Sequence, residues 1–110
     1  MTEHTAALPD NLLTATLLQV TPETPTIKRF VFDVSDQDFS YLPGQWIDLF
    51  LEIDGKVQVG GYSLTSVPGE VNTKIELAIQ TSAKHPVTHY LCEQASPGLQ
   101  VHISQGQGAC

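Results

Sequence analysis

The sequence predicts an all-β, antiparallel domain, a closed barrel or a sandwich, with one short helix before its last strand. Three observations carry that prediction. Six short runs alternate apolar and polar residues with a period of two, the pattern of a half-buried strand. Asp54-Gly55 joins two of these runs as a two-residue hairpin turn, the strongest short-range β signal in the chain. Proline and glycine punctuate the remaining connections, and a single stretch switches to helical spacing.

The first run is "LLTATLLQV", residues 12–20, and the second is "TIKRFVFDV", residues 26–34, with "TPETP" between them as a proline-bounded turn. In the second run Phe30, Phe32 and Val34 alternate with Arg29, Val31 and Asp33. "SYLPGQ", residues 40–45, is a loop around a Pro-Gly turn. "WIDLFLEI", residues 46–53, sets Ile47, Leu49, Leu51 and Ile53 on one face and Asp48 and Glu52 on the other. Trp46 and Phe50 share that second face, where they cover the outer surface or meet another domain. After Asp54-Gly55, "KVQVGGYSL" runs to a turn at Pro68-Gly69, and "KIELAIQT", residues 74–81, alternates through Ile75, Leu77 and Ile79. In "HPVTHYLCEQASPG", residues 85–98, Pro86 suits a first helical turn, and Val87, Tyr90, Leu91 and Ala95 recur at helical spacing. "LQVHIS", residues 99–104, is the last strand.

Composition bounds the function. A chain of 110 residues with 41% hydrophobic and 15% charged residues has the make-up of one folded domain rather than a disordered segment. A net charge of −7 with only five Lys and Arg argues against nucleic acid as a partner. No apolar run reaches the length of a membrane span. "MTEHTAALPD" lacks the basic and apolar regions of a signal peptide, so residues 1–11 are expected to be a flexible leader and the compartment cytoplasmic. Two cysteines, Cys92 and Cys110, make neither a disulfide framework nor a zinc knuckle.

The stretch "GGYSLTS", residues 60–66, interrupts an apolar strand with two glycines and follows them with a tyrosine and three hydroxyls. Gly60-Gly61 reads either as a bulge that curves the sheet or as a place where a ligand nears the backbone. Tyr62 alone reads as a boundary core residue. His85, His89 and Cys92 stand at spacings that could share a helix face, as zinc ligands do. However, Pro86 draws His85 out of helical geometry and a fourth ligand is not evident. No metal is expected.

Taken in order, "YLPGQWIDL", "GGYSLTS", "IELAIQTS", "HPVTHYL" and "VHISQGQGAC" resemble the flavin-binding barrel of the ferredoxin–NADP reductase family. The nearest likeness is to the branch of oxidoreductases with a nicotinamide-binding domain in which two glycines precede the aromatic–Ser pair. The resemblance runs from about residue 12 to the end. It implies a six-stranded antiparallel Greek-key barrel over 12–105, and residues 106–110 as the start of a linker to an absent nicotinamide-binding domain, which would bring NAD(P)H. It implies FAD as cofactor and an NAD(P)H-dependent flavoprotein oxidoreductase as the whole. The family's Arg-x-Tyr-Ser-x-x-Ser motif falls on Gly60 to Ser66, with Gly61 second in the pair. Tyr62 would pack on the flavin or bond its ribityl chain, Ser63 would reach the flavin N5 as the catalytic hydroxyl, and Ser66 would support the turn. The backbone of Leu77 to Thr81 would run along the ring and ribityl, with Ile79, Gln80 and Thr81 as its binding residues. The helix-start motif falls on His85 to Leu91, with Val87 and Thr88 receiving the pyrophosphate.

The sequence departs from the family in three places. The motif's arginine is Gly60, the basic residue of the preceding strand is Gln80, and the motif's glycine is His85, followed by Pro86, which lacks a backbone donor. Losing one charge-assisted contact costs about 1.5–3 kcal/mol. These departures leave an alternative, a non-enzymatic barrel that has lost flavin binding and serves as an interaction module.

Overall fold

The computed structural model describes residues 12–35, 39–66, 73–82 and 84–108. The expected leader, the Pro68-Gly69 turn and Cys110 lie outside them. Six strands, β1 (Leu13–Thr24), β2 (Ile27–Asp33), β3 (Trp46–Ile53), β4 (Lys56–Ser63), β5 (Lys74–Gln80) and β6 (Gln100–Ile103), carry one helix, α1 (Pro86–Gln94), between the last two. All ladders are antiparallel, in the order β4-β3-β6-β1-β2-β5. Inserting the last strand between the first and third makes the Greek key.

The alternation predicted from sequence sets the interior. Phe30, Phe32, Ile47, Leu49, Ile75, Leu77, Val101 and Ile103 are buried in one core cluster, to which α1 adds Val87 and Leu91. The β3–β4 hairpin turns at Asp54 and Gly55, with φ of 52° and 80°. Both central residues therefore lie in the left-handed region that a type I′ turn requires. Trp46 stays on the outer face, 38% exposed.

Two expectations are modified. "TPETP" is not a turn throughout: β1 continues to Thr24, with Pro22 opposite Lys28, and the chain reverses at Pro25-Thr26. The ladder shifts register between Pro22 and Thr24, which accommodates a proline that has no N–H to give. The barrel, moreover, is not closed by a continuous ladder. Among the described residues, the edge strands β4 and β5 meet at one bridge, Leu64 to Leu77, beside a hydrogen bond from Thr65 N to Glu76 O of 2.9 Å. Beyond it, α1 packs against β3, β4 and β5.

Helix α1 is held at both ends. His85 is its N-cap, its Nδ1 accepting from Val87 N at 3.2 Å, and Pro86 occupies the first turn. The last turn has no basic residue of its own. Lys28 of β2 supplies one, donating from Nζ to Cys92 O at 2.8 Å, where cation and helix dipole attract.

Candidate functional site

The site lies where the barrel opens. Past the Leu64–Leu77 bridge, β4 and β5 diverge, and no ladder joins Gly61–Ser63 to Ala78–Gln80 among the described residues. A cleft of about 260 Å³ separates them, lined by Gly61, Tyr62, Ser63, Ala78, Ile79, Gln80 and Thr88. Two strand edges that stop pairing present backbone N–H and C=O groups across a slot. Such a slot accepts a flat molecule with hydrogen-bonding edges on much the same terms as it would another strand.

Six of the residues singled out from sequence meet here: Gly61, Tyr62, Ser63, Ile79, Gln80 and Thr88. Ser63 and Gln80 are exposed at the rim, whereas Ile79 is buried beneath it. Four do not line the cleft. Val87, on α1, is fully buried in the core. Thr81 binds Thr26 O through both its N and its hydroxyl, fixing the end of β5. The Ser66 hydroxyl bonds Tyr41 Oη at 2.7 Å and accepts from Glu76 N at 3.1 Å, so it braces the β4 exit against β5 and the 39–45 loop.

The fourth, Gly60, has a local explanation. A Cβ built there would lie 2.6 Å from Tyr62 Oη and 2.9 Å from Cε2 and Cζ of the same ring. Residues two apart share a strand face, and the Tyr62 ring lies back across its own strand into the space that Gly60 leaves. There it is 9% exposed, and its hydroxyl meets Thr88 Oγ1 at 2.8 Å. This pair pins α1 to β4. Burial pushes the Tyr62 phenol above its ordinary pKa, with the Thr88 hydrogen bond acting in the opposite sense. Gly61 is different: a Cβ there would make only ordinary contacts, 3.8 Å from Asp48 and Trp46.

Ala78 lies within the expected Leu77–Thr81 run but is not named there as a site residue, although it lines the cleft. Its own signal is a small side chain between Leu77 and Ile79, which alternation alone assigns to an unremarked outer face. Cys92 is a buried thiol whose pKa burial raises. His85 serves as a cap, and among the described residues no group of three or more His, Cys, Asp or Glu is placed to hold a metal. A second hollow, about 310 Å³ and lined by Phe50, Tyr90, Leu99 and His102 among others, holds none of the residues expected to bind flavin. No described helix is long and apolar enough to cross a membrane.

Comparison with known proteins places the whole domain. The model of the oxidoreductase FAD-binding domain family matches residues 14–110. Oxidoreductase NAD-binding domain-containing protein 1 of Xenopus tropicalis is 34% identical over 98 residues, which are 87% of this chain and 30% of that protein. The Danio rerio protein of the same name is 37% identical over 97 residues, 86% of this chain and 35% of its own length. This chain thus spans about a third of these relatives. Among solved structures, the ferredoxin reductase in carbazole 1,9a-dioxygenase superposes with a TM-score of 0.78 at 20% identity, over 93% of this chain and 31% of that one. The ferredoxin NADP+ reductase of Neisseria gonorrhoeae, solved with FAD and NADP bound, gives 0.76 at 17% identity, over 92% and 40%. At those identities the structures share the fold with this chain.

Proposed function

The chain belongs to the oxidoreductase FAD-binding domain family, and from that premise we propose that it is the flavin-binding barrel of an NAD(P)H-dependent flavoprotein oxidoreductase, with FAD as the flavin. The observation that carries the reading is the slot between β4 and β5, where the ladder stops and the motif residues Gly61, Tyr62 and Ser63 face Ala78, Ile79 and Gln80. Its chemistry suits the ring end of a flavin: an apolar floor at Ile79, backbone edges on both sides and the Ser63 hydroxyl at the rim. Ser63 is the residue that would offer a hydrogen bond to the reacting edge of the ring. Tyr62 and Thr88, bonded to each other, form the wall and keep it in place. A bound flavin supplies the redox chemistry, and the chain binds, orients and shields it. The nicotinamide would come from a further domain of a longer protein or from a separate chain, and the electron acceptor from outside both.

The test is a titration of the chain with FAD, followed by quenching of flavin fluorescence. The expected result is saturable quenching that is weakened by Ser63→Ala and abolished by Ala78→Phe, which places a ring in the slot from an exposed position and leaves the core untouched. No saturation by about 50 micromolar, where binding is worth about 6 kcal/mol, overturns the reading.

A further inference from the structure

The slot and the helix beside it differ sharply in what they offer a ligand. A flavin that carries phosphate brings negative charge to a chain that is already at −7. All five of the chain's cations lie among the described residues. Lys28 is engaged at the far end of α1, on Cys92 O. Arg29 is held by Glu76 at 3.2 Å and Glu23 at 3.5 Å. Lys74 pairs in register with Asp33, whose pKa is lowered first by its hydrogen bonds with Ser35 and then by that lysine. Lys56 sits at the β3–β4 hairpin, the opposite end of β4 from Ser63. That leaves Lys84, exposed, as the one cation next to the start of α1.

Most of the uncharged donors at that helix start are also engaged. Pro86 has no N–H. The Val87 N–H is capped by His85 Nδ1, and the His89 N–H is bonded to His85 O at 2.8 Å. The Thr88 hydroxyl is 2.8 Å from Tyr62 Oη and only 5% exposed. At Gly60 the strand carries no side chain at all. Among the described residues, a phosphate arriving here meets the exposed Lys84 and, on the first turn of the helix, the backbone N–H of Thr88. A ring in the slot loses nothing by these features.

We propose that the cleft recognises a flavin by its ring and ribityl end alone and is indifferent to the diphosphate, with His85 as the specificity residue that withholds the helix N-terminus from phosphate. The inference rests on the flavin reading above and narrows it: riboflavin, FMN and FAD are ligands of one class for this chain.

The experiment titrates the full chain with riboflavin, FMN and FAD in turn, at about 20 mM and about 300 mM salt, a range over which screening changes strongly. The expected result is three dissociation constants within about threefold of one another, none moving more than about threefold with salt. His85→Gly, a change at an exposed position, releases the Val87 N–H and is expected to strengthen FAD relative to riboflavin by about fivefold or more. FAD or FMN binding about tenfold more tightly than riboflavin, or FAD losing about tenfold in high salt, overturns the proposal while the flavin reading stands. His85→Gly leaving the FAD-to-riboflavin ratio unmoved overturns the role of His85. If riboflavin, FMN and FAD all fail to bind, the flavin reading falls and this inference falls with it.

Discussion

Gly60→Ala is the substitution that most sharply separates an internal explanation of "GGYSLTS" from a ligand-based one. The new methyl would stand 2.6 Å from Tyr62 Oη and 2.9 Å from two ring carbons, closer than real Cβ atoms approach their neighbours. The ring must swing away, and with it goes the 2.8 Å bond to Thr88. Overpacking of this kind costs about 1–3 kcal/mol. The lost hydrogen bond adds about 1 kcal/mol, and the reduced entropy of the unfolded chain returns about 0.4–1 kcal/mol. The net expectation is a loss of about 2 kcal/mol. For a domain of this length that is a fall of about 8 °C in Tm, because about 1 kcal/mol corresponds to about 4 °C. Urea denaturation of four proteins, the parent, Gly60→Ala, Tyr62→Ala and the double variant, isolates the effect. Once Tyr62→Ala has removed the ring, the methyl has open space, and Gly60→Ala becomes neutral or stabilising by up to about 1 kcal/mol. Equal costs of Gly60→Ala with and without the Tyr62 ring would refute the idea that this glycine exists to seat it.

Other perturbations follow the same contacts. Gly55→Ala places a Cβ at φ 80° and should cost about 1–2 kcal/mol in urea denaturation, with the Asp54 side of the hairpin fraying first in hydrogen exchange. Lys28→Met removes the cation from the carbonyl end of α1 and should lower stability by about 0.5–1.5 kcal/mol, with protection lost in the helix and not in the sheet. Alkaline pH should destabilise the fold. Tyr62 and Cys92 both have pKa values raised in the folded state, first by burial. Their contribution is therefore complete below the unfolded values of about 9 for the thiol and about 10 for the phenol, and it is lost as pH climbs through the folded ones. Tyr62→Phe combined with Cys92→Ala should flatten the alkaline limb of a stability-against-pH curve, and an unchanged limb would assign that loss to other groups.

What could be read from the chain beforehand was whatever is encoded locally. Alternation over a few residues placed Phe30, Phe32, Ile47, Leu49, Ile75 and Leu77 inside, and all are buried. Asp54-Gly55 declared its own turn, and Pro86 and Pro97-Gly98 bounded the helix. Pro22 misled because a proline in an outer ladder can be absorbed by a register shift, which composition does not reveal. The site was legible as a set of residues through resemblance to a family, but its internal wiring was not. Tyr62 and Thr88 are 26 residues apart, and Tyr41 and Ser66 are 25 apart. No periodicity links such pairs, because they form only once distant segments meet: α1 against β4 in the first, the 39–45 loop against the β4 exit in the second. The opening of the barrel was invisible for the same reason: the alternation of β4 and β5 is equally compatible with a full ladder.

Thr88→Val tests the wall of the slot and the use of its hydroxyl in one variant. The substitution keeps the shape of a residue that is 5% exposed and removes the partner of a buried phenol. Leaving that hydroxyl without a partner costs about 1–3 kcal/mol, so stability should fall by that amount while the helix stays formed. Its effect on ligands discriminates between two uses of the threonine. If the hydroxyl serves Tyr62, as the 2.8 Å contact indicates, loosening the wall weakens riboflavin and FAD by a common factor. If instead it serves a phosphate, FAD weakens and riboflavin does not. The first outcome follows from a helix whose His85 caps its own first turn and whose Thr88 is bonded to Tyr62 of β4. The second would mean that Thr88 exchanges Tyr62 for the ligand on binding, at the cost of an unsatisfied phenol inside the wall.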